Sequence, residues 1–152
     1  MENNSIMHEP IVTKAPQALH PSTLGNDKLD SRLILVNRYI RKYYAEPITL
    51  ESLSALIDCN PVYLSNTYSR VFKVPPIQYL QKVRMHKSRH YLTHTKLTVS
   101  EIALKVGYYT ASQFGALFKK HFNLTPNEYR MHDMMLRAAE NRFGVDGTEC
   151  HE

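Results

Sequence analysis

Apolar residues recur at helical spacing along most of the chain after Asp30, and caps and prolines punctuate the recurrence. Leu33, Ile34, Val36, Asn37 and Ile40 form a stripe on a first predicted helix, capped by Asp30 and running to about Tyr44. Arg32, Arg38, Arg41 and Lys42 project from its other faces, and Pro47 stands at or just past its end. Thr49 caps a second helix through Ile57, with Ile48 and Leu53 placed as a hydrophobic staple. Asp58 and Cys59 make a turn. Asn60 then caps a third helix, Pro61 takes its first position, and the pattern runs to about Phe72. Leu64 and Tyr68 face inward on it, whereas Val62, Ser65, Asn66, Ser69 and Arg70 face outward. Val74, Pro75 and Pro76 restart the chain into a long helix reaching about Leu92, with Leu80, Arg84, Ser88, Tyr91 and Leu92 toward its neighbours.

The stretch TVSEIALKVGYYTASQFGALFKKHFNLTPNEYR, from Thr98 to Arg130, carries the most information. Thr98 and Glu101 have the spacing of a capping box, and Leu97 and Ile102 that of a staple. Ile102, Ala103 and Val106 keep helical spacing until Gly107, a residue suited to a left-handed helix end. Thr110 caps the next helix with Gln113 at its N3 position. That helix turns Phe114, Leu117 and Phe118 to one side and Ser112, Gln113, Ala116, Lys119 and Lys120 to others. A short helix, a glycine turn and a second helix with a polar, basic outer face make the helix-turn-helix pattern. The pattern occurs twice. Phe114, Phe118, Pro126 and Tyr129 have counterparts 50 positions earlier at Leu64, Tyr68, Pro76 and Tyr79, and Ile102 answers to Leu53 at 49.

Residues 49–130 resemble the DNA-binding domain of AraC/XylS-type transcription regulators. SEIALKVGYYTASQFGALFKKHFNLTPNEYR is similar to the family signature, YLQKVRMHKSRHYL to its linker helix, and LESLSALIDCNPVYLSNTYSRVF to its first unit. The resemblance implies an all-α fold of two tandem helix-turn-helix units joined by a long linker helix. The expected division is a flexible arm over 1–29, a first unit over 30–75, the linker helix over 76–92, a second unit with a terminal helix over 93–143, and an acidic tail over 144–152. A rod of that linker's length, roughly 25 Å, can hold two recognition helices about one DNA turn apart, roughly 34 Å.

The charge distribution agrees with this division. Residues 30–130 carry 15 Lys/Arg against six Asp/Glu, a net of +9, whereas residues 1–29 sum to −1 and residues 131–152 to −3. The basic charge coincides with the duplicated region, as a nucleic-acid footprint should. Lys14 and Lys28 are the arm's only Lys/Arg residues, so phosphate binding there is poorly supported. No apolar run approaches membrane-spanning length, and the N-terminus lacks the basic and apolar regions of a signal peptide. A cytoplasmic location, at the bacterial nucleoid, is expected. The two cysteines, Cys59 and Cys150, suggest neither a disulfide framework nor a zinc site, and Cys59 reads as a small apolar turn residue rather than a redox sensor. His86, His90 and His94 recur at i, i+4 and i+8 without an accompanying carboxylate or cysteine, and read as a solvated face rather than a metal site. No metal or other cofactor is expected. No phosphate loop, paired catalytic carboxylates or nucleophile–base arrangement points to an enzyme.

By analogy with the family, base edges are read from the outward positions early in each recognition helix. These are Val62, Ser65 and Asn66 with Arg70 a turn later, and Ser112, Gln113 and Ala116. Asn66 and Gln113 suit adenine, Arg70 suits guanine or a phosphate, and Ala116 offers only a methyl contact to thymine. Family members often carry a larger residue at the place of Ala116, which shifts the expected discrimination toward the first unit. Lys73, Lys82, Lys119 and Lys120 are the expected phosphate contacts. Lys73 and Asn123 stand where the family commonly has glycine. Lysine resists a left-handed backbone more than asparagine does, so a different turn is expected after the first recognition helix. Ser54 and Ser88 replace the usual buried alanines and need their hydroxyls bonded back to the helix. Beyond Arg130, Met131, Met134, Met135 and Ala138 keep helical spacing, so the last helix is expected to extend and pack back on the second unit. A partner-binding stripe is the alternative.

The resemblance implies a DNA-binding transcription regulator, more commonly an activator, that recruits RNA polymerase at an asymmetric promoter site. With about thirty residues before the first helix, the chain resembles the short members without an effector-binding domain. The alternatives are the DNA-binding part of a larger effector-sensing regulator, and a module that contacts polymerase without stable DNA binding.

Overall fold

A computed structural model describes residues 30–143, which form seven helices and no strand. The expected arm and acidic tail lie outside the described residues. The helices are α1 Ser31–Tyr43, α2 Leu50–Leu56, α3 Pro61–Phe72, α4 Pro76–His94, α5 Val99–Lys105, α6 Ala111–Phe122 and α7 Pro126–Arg142. The all-α expectation holds.

Local chemistry accounts for most boundaries. The Asp30 carboxylate accepts from the Arg32 backbone N–H at 2.9 Å, filling one of the orphan donors of α1. α5 and α7 begin with full capping boxes, in which Glu101 and Glu128 accept from the N–H groups of Thr98 and Thr125, each at 2.7 Å. α2 has the same reciprocal geometry with Ser52 in the glutamate's place. Between α5 and α6 Gly107 has φ +93°, a region open to glycine, and Asp58 takes φ +51° in the matching turn of the first unit.

Two apolar cores form, and α4 feeds both. The first gathers Leu33, Val36, Ile40, Leu53, Ile57, Leu64, Tyr68 and Leu80. The second gathers Met85, Leu92, Ile102, Ala103, Val106, Tyr108, Phe114 and Phe118. Tyr44, just past α1, packs against both. Several polar groups that enter these layers find partners, whereas the Tyr108 hydroxyl is buried without one. The Tyr68 hydroxyl donates to Asn37 Oδ1 at 3.0 Å, and the Ser54 and Ser88 hydroxyls donate to the carbonyls of Glu51 and Met85 at 2.9 and 2.7 Å.

Four details differ from the sequence expectation. α4 continues to His94, two residues past Leu92, because Thr95 sustains the last turn: its N–H and its hydroxyl both donate to the Tyr91 carbonyl. Ile34 remains 39% exposed, so the buried stripe of α1 is narrower than its apolar content. Lys73 and Asn123 adopt the same left-handed conformation, at φ 60° and 59°, and each donates its N–H to the carbonyl four residues back. The two units therefore end in the same turn, and that hydrogen bond offsets part of the left-handed cost for lysine. α7 does extend, but Met131, Met134 and Met135 are exposed, at 58%, 63% and 64%. The side of α7 that meets α4 carries Tyr129, Arg130 and Asp133 instead, and Arg130 donates to the Leu92 and Leu97 carbonyls at 3.1 and 2.5 Å. That anchorage turns the methionines outward.

Candidate nucleic-acid interface

α3 and α6 each follow a short helix and a tight turn, and each presses one aromatic-rich side into its core. Leu64 and Tyr68 on α3, and Phe114 and Phe118 on α6, are fully buried. Full burial of one such side chain stabilises by about 1.5–3 kcal/mol, which pins the rotation of each helix about its axis. The opposite side is thereby presented to solvent. On α3, Val62, Asn66 and Arg70 are exposed and Ser65 is half-buried. On α6, Ser112, Gln113 and Ala116 are all exposed.

The 50-residue correspondence extends to this outer face. Val62, Tyr63 and Asn66 match Ser112, Gln113 and Ala116, and all six are exposed. Tyr63 was absent from the sequence-derived set, although the repeat offset alone points to it. Its ring lies 6.0 Å from the Arg32 guanidinium carbon, a cation–π contact that orients the ring. Ser65 matches Gly115, and both are half-buried at the edge of the face.

The expected phosphate contacts are all exposed. Lys119 and Lys120 lie in the last turn of α6, and Lys73 caps α3. Lys82 projects from α4 near the end of α6, where burial, and after it the nearby His86 and Lys82, hold the His121 imidazole below its ordinary pKa. Tyr109 is 81% exposed and Leu104 is 63% exposed, both in the second unit. With Gln113 they line an open cleft of about 410 Å³ whose other wall is Pro47, Ile48 and Thr49 of the first unit.

The histidine series lies on the other side of α4. His86, His90 and His94 line a shallow groove with Arg89, Asp133 and Arg137. The His90 and His94 rings stack at 4.3 Å instead of turning their nitrogens toward a common point. No group of three or more His, Cys, Asp or Glu able to hold a metal is found among the described residues. Burial raises the Cys59 thiol pKa, the direction opposite to that of a reactive thiolate. No helix among the described residues is long and apolar enough to cross a membrane.

Comparison with known proteins fits this geometry. A family profile described as a helix-turn-helix domain matches residues 53–132. The bifunctional transcriptional activator/DNA repair enzyme AdaA of Bacillus subtilis (strain 168) is 34% identical over 112 residues, which is 72% of this chain and 53% of AdaA. The chain thus spans about half the length of that relative. Among solved structures, the C-terminal domain of AraT, a response regulator from Geobacillus stearothermophilus, superposes with a TM-score of 0.67 at 34% identity, covering 70% of this chain and 88% of that one. The C-terminal domain of the two-component response regulator yesN from Fusobacterium nucleatum gives 0.64 at 33% identity, covering 66% and 99%. With both helix-turn-helix units in place, the chain belongs to the AraC/XylS family of transcription regulators and carries that family's DNA-binding domain.

Proposed function

We propose that the chain activates transcription by docking α3 and α6 in successive major grooves of one asymmetric promoter site and recruiting RNA polymerase there. The carrying observation is the equivalent exposure of positions 62, 63 and 66 and of 112, 113 and 116, each set opposite a fully buried aromatic anchor. In this reading Asn66, Arg70, Ser112 and Gln113 read bases, Val62, Ser65, Tyr63 and Ala116 shape the fit, and Lys73, Lys82, Lys119 and Lys120 hold phosphates. The 19 residues of α4 give a rod of roughly 28 Å, which suits two blocks about ten base pairs apart.

Selection of bound sequences from a random duplex pool at two salt concentrations tests this. An asymmetric motif with two blocks about ten base pairs apart supports it. A single block reduces one unit to an anchor, and no enrichment overturns base reading altogether. The exposed methionines of α7 favour a second reading, in which the chain contacts a protein without stable DNA binding. Binding to polymerase that is insensitive to salt, with no retained DNA, distinguishes it.

A further inference from the structure

Arg84 stands at the middle of α4, where the two units meet. Its side chain is 9% exposed. Nε donates to the Tyr44 carbonyl at 2.7 Å and Nη2 to the Glu46 carbonyl at 2.8 Å, both in the segment leaving α1. Its guanidinium carbon lies 5.2 Å from the centroid of the Tyr108 ring, in the turn between α5 and α6. A Cβ built on Gly107 would fall 2.8 Å from Arg84 Nη2 and 3.0 Å from the Ala45 carbonyl. The first unit's exit, the linker helix and the second unit's turn therefore close around one planar cation.

The chemistry of this junction is specific to arginine. Neither ion pair found among the described residues involves Arg84. Two charge-assisted hydrogen bonds to carbonyls and an aromatic face take the place of a carboxylate. Only a fork of fixed geometry bonds two carbonyls while lying beside a ring. Gly107 also has a structural reason beyond its positive φ, since the guanidinium occupies the space of a side chain. Arg84 lies between the two apolar cores, against Tyr108 of the second and bonded to the carbonyl of Tyr44, which packs on both. Its loss removes the polar contacts that join the first unit's exit to the second unit's turn.

We propose that Arg84 is a positioning residue that sets the angle between the two recognition helices and, through it, the spacing of the DNA blocks the protein accepts. The consequence for DNA rests on the two-groove reading proposed above. Half of α4 is roughly 14 Å long, so a swing of about 14° moves a unit by about 3.4 Å, one base-pair step.

Two measurements separate the inference from the reading it rests on. The first needs no DNA. Spin labels at Arg70→Cys and Lys120→Cys, with Cys59 and Cys150 replaced by alanine, report the distance between equivalent points of α3 and α6. The unaltered junction should give one narrow distribution, and Arg84→Met should at least double its width at unchanged helicity. Gly107→Ala, which drives a methyl group into the guanidinium, should broaden it too, and Arg84→Lys should fall between. These two variants carry the test if Arg84→Met loses helicity. An unchanged width in the folded variants overturns the proposal.

The second measurement uses unlabelled protein and duplexes carrying the selected blocks at their native spacing and two base pairs wider. The wild type should discriminate about tenfold, and Arg84→Met threefold or less, with affinity for a duplex bearing one block unchanged. Full discrimination retained by Arg84→Met overturns the link to spacing. A wild type with a narrow label distance but no spacing preference overturns two-groove reading, and the spacing role of Arg84 with it.

Discussion

Gly115 lies inside α6, yet a Cβ there would meet nothing within 4 Å. A glycine in a helix interior costs about 1 kcal/mol relative to alanine, and nothing inside the fold requires this one. In the two-groove reading proposed above, close approach of a DNA backbone to α6 is what would favour glycine there. Gly115→Ala is therefore expected to raise stability by about 1 kcal/mol in denaturant titration while weakening DNA binding; unchanged or tighter binding would remove α6 from close contact. Asn66→Ala tests base reading itself. It should relax preference at one or two base pairs, at a cost of ~1–3 kcal/mol, when affinities for single-substituted sites are compared. Equal weakening on every sequence would mean that Asn66 only fills space.

At the scale of elements, the two units share a geometry but differ in the chemistry of their caps. α5 and α7 start with glutamate boxes, and the Thr98 and Thr125 backbone N–H bonds hold the Glu101 and Glu128 carboxyls below the ordinary glutamate value. A carboxyl whose pKa is lowered by folding contributes stability that is present above its unfolded value and lost as pH falls through the folded one. The first unit's α2 uses Ser52, which does not titrate. Thermal melts below pH 5 should therefore show a fall in stability that is flatter in a Glu101→Gln, Glu128→Gln double variant. The same pH slope in both would assign the acid sensitivity to other carboxylates. α7 shows the limit of reading an element from its pattern. Methionines at helical spacing predicted a packed side, but the Arg130 bonds to the α4–α5 connection choose which side of the helix faces inward.

For the whole molecule, the relevant quantity is how much charge reaches a common partner. The net of +9 in residues 30–130 is spread over several helices, and only part of it faces any one duplex. If Lys73, Lys82, Lys119 and Lys120 each neutralise a phosphate, log Kobs should fall against log salt with a slope of about −3.6. Lys119→Ala should reduce that slope by about one and weaken all sequences alike, as measured by fluorescence anisotropy across a salt series. An unchanged slope would strike Lys119 from the contacts. Lys82 on α4 lies near the end of α6 that carries Lys119, Lys120 and His121.

The sequence by itself determined the helices, their caps and the repeat, because each is a local matter of spacing, hydrogen-bonding side chains and turn residues within a few positions. It also showed which side of α3 and α6 is buried, since Leu64, Tyr68, Phe114 and Phe118 leave one choice of inward side. Tyr63 is legible through the repeat offset, although the family pattern of reading positions does not include it. The tertiary structure alone decided the rest. It showed that Lys73 adopts the left-handed turn, that the methionines of α7 face outward, and that Arg84 and Gly107 meet between the units. Each depends on groups more than 20 residues apart in the chain or on a backbone bond that composition does not reveal. Periodicity tells which side of a helix is apolar; the position of one helix against another depends on how those sides pack and, here, on the Arg84 and Arg130 bonds that cross between elements.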